Sequence, residues 1–213
     1  MMMSRKFSSL AGAVALAVIF VSGCAGISPP VTFYTLDRAL DTDASKAQSA
    51  SAGTACSGKG IAVGPVSWPR YLDQPRIVTR TGPNTLGFDE FHRWGGTLED
   101  DFKRVLIKSL SGLLHTSKIA DFRKTLRFTP DYRVELDIRQ FDGQLGGEVI
   151  LDAAWVIVVQ KTGKGLELHD STITKQMSGP DYAALAGASS LAVAGLSREI
   201  SAELLKACSA AGQ

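Results

Sequence analysis

Residues 132–139 read Tyr132-Arg133-Val134-Glu135-Leu136-Asp137-Ile138-Arg139. Apolar and charged residues alternate without a break, the pattern of a strand with one face in a core and the other in water. Downstream, Glu148 to Gln160 reads as a longer strand. Its segment Ala153-Ala154-Trp155-Val156-Ile157-Val158-Val159 is apolar throughout, which predicts a central strand covered on both faces. Gly143, Gly146 and Gly147 fall in the connection between these two. After a turn at Thr162-Gly163-Lys164-Gly165, Leu166 to Met177 predicts a third strand. Three consecutive strands of this kind predict an antiparallel meander.

Helices flank the meander. Thr97 can cap a helix, with Asp100 three residues on in a capping-box-like place. Leu98, Phe102, Val105, Leu106, Ser109 and Leu113 then share one face at helical spacing, and Ile107, Leu110 and Leu114 form a second stripe opposite. A helix apolar on two sides is either buried on two sides or meets a partner, so the second stripe is a candidate for self-association. A long helix from Asp181 to about Ala207 presents Tyr182, Leu185, Val193, Leu196, Ile200 and Leu204, with Ala and Ser filling much of the rest. Upstream, Ile61 to Val66 reads as a compact strand and Trp68 to Pro75 as an extended segment pinned by prolines. Arg76 to Thr81 and Thr85 to Phe91 read as hairpin arms around Gly82-Pro83-Asn84. Val31 to Leu36 predicts a short strand, and 37–60, rich in Ser, Ala, Thr, Asp and Gly, a mobile loop. The fold class expected is α+β: a mostly antiparallel β-sheet packed by two amphipathic helices in a single domain.

The chain has 213 residues, 23 Lys+Arg against 21 Asp+Glu, and 45% hydrophobic residues, an ordinary globular balance. The first residues differ from the rest. Arg5 and Lys6 precede an apolar run from Leu10 to Val21, and Val21-Ser22-Gly23-Cys24 follows. A basic start, a short apolar core and small residues make a secretory signal, and small residues before a cysteine resemble a bacterial lipobox. Residues 1–23 are then the signal, 24–60 a lipidated tether with a short strand and flexible loop, and 61–213 the α+β domain. Cys24 would carry the lipid. Without Arg5 and Lys6 the bases fall level with the acids, so no basic excess points to nucleic acid. Ala25, rather than Asp, after the cysteine favours the outer membrane, seen from the periplasm. In that oxidising compartment Cys56 and Cys208 either form a bridge or stay unpaired.

The search for chemistry yields little. His92, His115 and His169 stand in no metal motif, and His169-Asp170 reads as a solvent-facing strand edge. Ser197 lies mid-helix, where a strained nucleophile turn cannot form. Asp100 and Asp101 suit the first helical turn better than acid/base work. The expectation is a protein that is not an enzyme and needs no cofactor beyond covalent lipid on Cys24.

Four segments carry a family resemblance: Phe33-Tyr34-Thr35-Leu36 after the lipobox; Pro65-Val66, Pro69, Tyr71-Leu72-Asp73, Pro75 and Ile77-Val78-Thr79-Arg80; Arg93-Trp94 leading into Phe102-Lys103-Arg104-Val105-Leu106; and Tyr182 to Leu185 with Leu196-Ser197-Arg198-Glu199-Ile200. Together they resemble the ABC-type transport auxiliary lipoproteins, the PqiC (YmbA) group. The resemblance implies an accessory part of an intermembrane lipid-transport system, anchored in the outer membrane and docking or tethering a periplasmic Mce-domain protein, with a homo-oligomer possible. The alternatives are a stand-alone periplasmic binder of lipid or another hydrophobe, and a subunit of another envelope machine. The candidate partner-binding face is Trp68 to Leu72 with Arg80, Phe91 and Trp94, because Trp, Tyr and Arg dominate binding hot spots. The other reading makes Trp68 and Trp94 plugs of the sheet ends.

Overall fold

The computed structural model describes residues 29–37, 55–124 and 128–210. In chain order the elements are β1 (Thr32–Tyr34), β2 (Ile61–Ser67), a 3-10 turn (Arg70–Leu72), β3 (Arg76–Gly82), β4 (Thr85–Trp94), α1 (Leu98–Leu113), β5 (Ile119–Asp121), β6 (Tyr132–Gly143), β7 (Glu148–Val159), β8 (Lys164–Gln176) and α2 (Tyr182–Ala210). The expected signal peptide over 1–23, Cys24 and most of the loop predicted over 37–60 lie outside the described residues.

The meander is present. β6 and β7 pair antiparallel, as do β7 and β8. Because facing residues alternate, one face of the meander gathers Val134, Leu136 and Ile138 from β6 with Leu151, Ala153, Trp155 and Ile157 from β7, all buried. α2 packs over that face, and α1 lies beside α2 over β2 and β5. The opposite face is not covered by a helix: Ala154 and Val156 are only half-buried there. The sequence expectation that β7 is covered on both faces is therefore corrected. Of its outer apolar positions, Ala154 and Val156 floor a groove described below, whereas Val158 is buried.

Two further corrections concern topology. There are two sheets rather than one, a five-stranded sheet ordered β5-β2-β6-β7-β8 and a three-stranded sheet ordered β1-β4-β3. The long ladders are antiparallel, but β2 runs parallel to both β5 and β6, and β1 runs parallel to β4. These parallel pairings join segments far apart in sequence, and strand composition carries no information about them. Residues 70–72, expected to be extended, form a 3-10 turn that buries Leu72.

α1 starts as its sequence predicts. Thr97 Oγ1 accepts from the Asp100 backbone N–H at 3.2 Å, and Glu99, Asp100 and Asp101 fill the first turn, where the helix dipole favours negative charge. Asp101 also accepts the Leu36 N–H at 3.1 Å, holding the chain after β1 against the helix. Leu110 and Leu114 are fully buried within the chain, so the second stripe is core; only Ile107 keeps partial exposure. That removes this stripe as a self-association surface.

α2 is buried nearly all round. Its inward Ser189, Ser190 and Ser197 hydroxyls donate to carbonyls four residues back at 2.7–2.8 Å, so they enter the core already satisfied. Gly195 permits close approach to β8: a Cβ there would lie 2.8 Å from Ile173 Cγ2. Ala would be favoured over Gly by about 1 kcal/mol in a free helix, but the overpacking costs about 1–3 kcal/mol. Gly195→Ala is expected to lower stability by a net ~1 kcal/mol in a urea melt; an increase would show that α2 and β8 pack more loosely than described.

Candidate functional site

The uncovered face of the five-stranded sheet is the candidate site. Its residues follow from the register: Ser67 on β2, Arg133, Glu135, Asp137 and Arg139 on β6, Asp152, Ala154 and Val156 on β7, and Leu168 and Asp170 on β8. Arg139 sits at its centre. It reaches Asp152 at 2.8 Å and Asp170 at 2.7 Å, tying three strands together. Arg133 pairs with Glu135 along β6 and lies over the Phe122 ring at 4.9 Å.

Beside this charged row is an open groove of about 320 Å³. Pro65, Ala154, Val156 and Leu168 give it apolar surface, while Glu135 and Asp137 line its β6 side. Gly64, with φ of 111°, and Pro65 form the irregularity where β2 shifts register against β6, which brings Pro65 outward into the groove. Leu168 is 65% exposed and, with Leu166 at 44%, gives large apolar side chains to a strand whose outer edge carries no partner strand among the described residues.

The upper end of this face is closed by a buried carboxylate. A register shift between Ile138 and Gln140 lets Phe141 turn into the core and Asp142 turn outward beneath β3. Arg80 grips Asp142 with two hydrogen bonds, Nε to Oδ1 at 3.0 Å and NH2 to Oδ2 at 2.9 Å. Tyr71 donates its hydroxyl to Oδ2 at 2.7 Å and Gln140 its amide to Oδ1 at 2.8 Å. Burial pushes the Asp142 carboxyl up, but the bonds from Arg80, Tyr71 and Gln140 outweigh it and hold the pKa below the usual carboxylate value. Burial, and then the bond to Asp142, raise the Tyr71 phenol, which stays a donor at all physiological pH.

The sequence-predicted hot spots divide accordingly. Tyr71 and Arg80 come together, although chiefly to clamp Asp142. Trp68 packs against Phe102 and Phe141 with ring centroids 5.5 and 6.1 Å apart, half-buried, and its Nε1 finds no acceptor among the described residues. Trp94 is 5% exposed and belongs to the core, so of its two readings the plug fits and the binding residue does not. Phe91 lies away from the clamp, on the exposed stretch of β4. Sequence reasoning missed Asp142 altogether. A lone acid at the end of a strand looks like solvent surface unless the β3 segment that covers it is known.

Other polar clusters are satisfied internally. Lys103, nearly buried, reaches Glu99 and Asp100 at 3.1 Å and Asp121 at 3.4 Å. His92 stacks on Tyr182 at 4.1 Å while both hydrogen-bond Asp89. His169 does not face solvent as expected: it stacks on Trp155 at 4.3 Å, and only Asp170 points out. Among the described residues no group of three or more His, Cys, Asp or Glu is placed to hold a metal ion, and no helix is long and apolar enough to cross a membrane. Cys56 and Cys208 are joined by a disulfide, their Cα atoms 5.3 Å apart.

This α+β arrangement recurs in solved structures. A crystal structure of an uncharacterized protein matches with a TM-score of 0.64 at 16% identity, covering 83% of this chain and 99% of that one. Protein XCC0632 from Xanthomonas campestris matches with a TM-score of 0.59 at 19% identity, covering 68% and 83%. No curated protein matches in a sequence comparison. The model of the ABC-type transport auxiliary lipoprotein component family matches residues 34–201, from β1 into α2, and the chain belongs to that family. It is thus a lipoprotein accessory to a transport system.

Proposed function

We propose that this protein is a non-enzymatic adaptor, held by lipid on Cys24 at the periplasmic face of the outer membrane, that docks the Mce-domain component of an ABC-type lipid transporter. The observation that carries this reading is the uncovered sheet face. It offers an apolar strip, Ala154, Val156 and Leu168, bordered by Glu135 and Asp137 and stiffened by the Arg139 network. Such a centre of apolar contact within a polar rim suits a protein partner. The Tyr71–Arg80–Asp142 clamp fixes one end of that face, and the exposed parts of Tyr71 and Arg80 extend it. A stand-alone lipid binder fits less well, because an acyl chain laid in this groove would desolvate the Asp137 carboxylate without pairing it.

The test is a pull-down of the Mce partner with Val156→Arg and Leu168→Asp combined. Both positions are open to solvent, so the variant is expected to keep its far-UV spectrum and melting midpoint. Loss of at least about tenfold in affinity is expected if two central apolar contacts go. Wild-type capture by the folded double variant would rule this face out.

A further inference from the structure

The small sheet carries, at its end away from Arg80, exposed side chains that the docking role leaves unused. Register places Phe33 on β1 opposite Arg93 on β4, and Arg93 opposite Arg76 on β3, so the three form one row across the sheet. The Arg76 guanidinium lies over the Phe88 ring at 5.2 Å, which puts Phe88 on the same face. Phe33 is 64% exposed and Phe88 43%. Glu90 offsets Arg76 at 2.7 Å, whereas Arg93 donates to the Glu90 backbone carbonyl and keeps its charge. The face therefore combines protruding aromatic rings with a net positive charge, the chemistry of a headgroup-level contact.

Chain length says what this face meets. Only six residues, 25–30, separate Cys24 from Val31, and fully extended the chain between those two reaches at most about 25 Å. A folded body of this size is about 40 Å across. A lipid on Cys24 thus keeps β1 and its neighbours on the membrane side of the body, whatever path the six residues take. The opposite pole is marked by α2: Tyr182 packs near Tyr34 and His92, and Lys206 lies about 36 Å further along the helix.

We propose that the face bearing Phe33, Arg93, Arg76 and Phe88 rests on the phospholipid surface that holds the acylated cysteine, a second membrane contact that fixes the orientation of the body. This rests on the anchor reading given above. In the full-length acylated protein, with Cys56 and Cys208 bridged, Phe33→Cys supplies a single reactive thiol for an environment-sensitive dye, and Lys206→Cys supplies the control. The probe is vesicles of phosphatidylethanolamine and phosphatidylglycerol containing a spin-labelled lipid. Loss of emission at position 33 with none at position 206 is the expected result. Equal emission at both positions in protein whose mass confirms acylation overturns the proposal, as does shielding of position 33 that needs a protein partner instead of lipid. A mass showing Cys24 unacylated overturns the anchor reading itself. Arg93→Glu combined with the labelled position is expected to restore emission, which separates surface contact from mere proximity.

Discussion

Arg80→Ala is expected to lower folding stability by about 3 kcal/mol, the lower end of the range for removing one partner of a buried ion pair. The Asp142 side chain is 0% exposed while Arg80 keeps 33%, so the substitution leaves the carboxylate in place without its main counter-charge. Tyr71 and Gln140 still donate to it, which keeps the loss from being larger. Replacing both ends, Arg80→Met with Asp142→Leu, is expected to cost much less than the sum of the singles, because no charge is then stranded. A double-mutant cycle by urea denaturation checks this. Additive losses would show that Arg80 and Asp142 are not coupled. The pH dependence follows from the depressed Asp142 pKa. A carboxyl whose folded pKa lies below its unfolded value of about 3.9 adds stability that is complete above that value. The contribution is lost as pH falls through the folded pKa. Wild type is therefore expected to lose more stability than Asp142→Asn below about pH 4, with parallel behaviour near neutrality. Asp89 and Asp100, also depressed, contribute equally to both proteins and cancel in the difference.

The clamp also shows where sequence legibility stops. The inner face of β6, both faces of α1 and the buried stripe of α2 follow from periodicity, because burial on one side imposes a repeat that composition records. The bulge at Ile138–Gln140 leaves no such trace, and yet it decides that Phe141 is core and Asp142 a buried anion. The pairing of β2 between β5 and β6 was equally hidden: a strand of seven residues reads the same with parallel or antiparallel neighbours. Three-residue β5, Ile119–Asp121, is too short for any repeat. Of the candidate face, Tyr71 and Arg80 were legible through their residue types, whereas Trp94 stayed open between two readings, since a tryptophan serves a core as readily as an interface. The groove at Leu168 was masked by an apolar run that implied double coverage. An uncovered strand can be just as apolar where a partner supplies the second cover, and that is the arrangement the docking proposal requires.

Cys208→Ser is expected to cost about 2–5 kcal/mol, as loss of a native bridge does in small exported domains. The two cysteines are 152 residues apart in sequence, so the bridge closes nearly the whole folded body into one loop and removes a large share of the unfolded chain's freedom. In the native state the bond sits at the last turns of α2, with Cys56 fully buried and Cys208 3% exposed. Only a few other ties hold that end. Tyr132 donates its hydroxyl to the Ala207 carbonyl at 3.1 Å, and Leu204 packs into the core just before it. Opening the bridge should therefore loosen the last turns of α2 and residues 55–58 first, before the meander. Amide hydrogen exchange distinguishes this from global weakening: in Cys208→Ser, protection is expected to fall at 205–210 while β7 amides exchange only through full unfolding. The same stability loss is expected when wild type is melted with reductant. A melting midpoint indifferent to both reductant and Cys208→Ser would show that the two sulfurs are not bonded. Burial of the bridge further predicts slow reduction in the folded state, because thiolate attack needs access to a sulfur, and it places the bond-forming step early, while residues 55–58 and the end of α2 are still open to an oxidant.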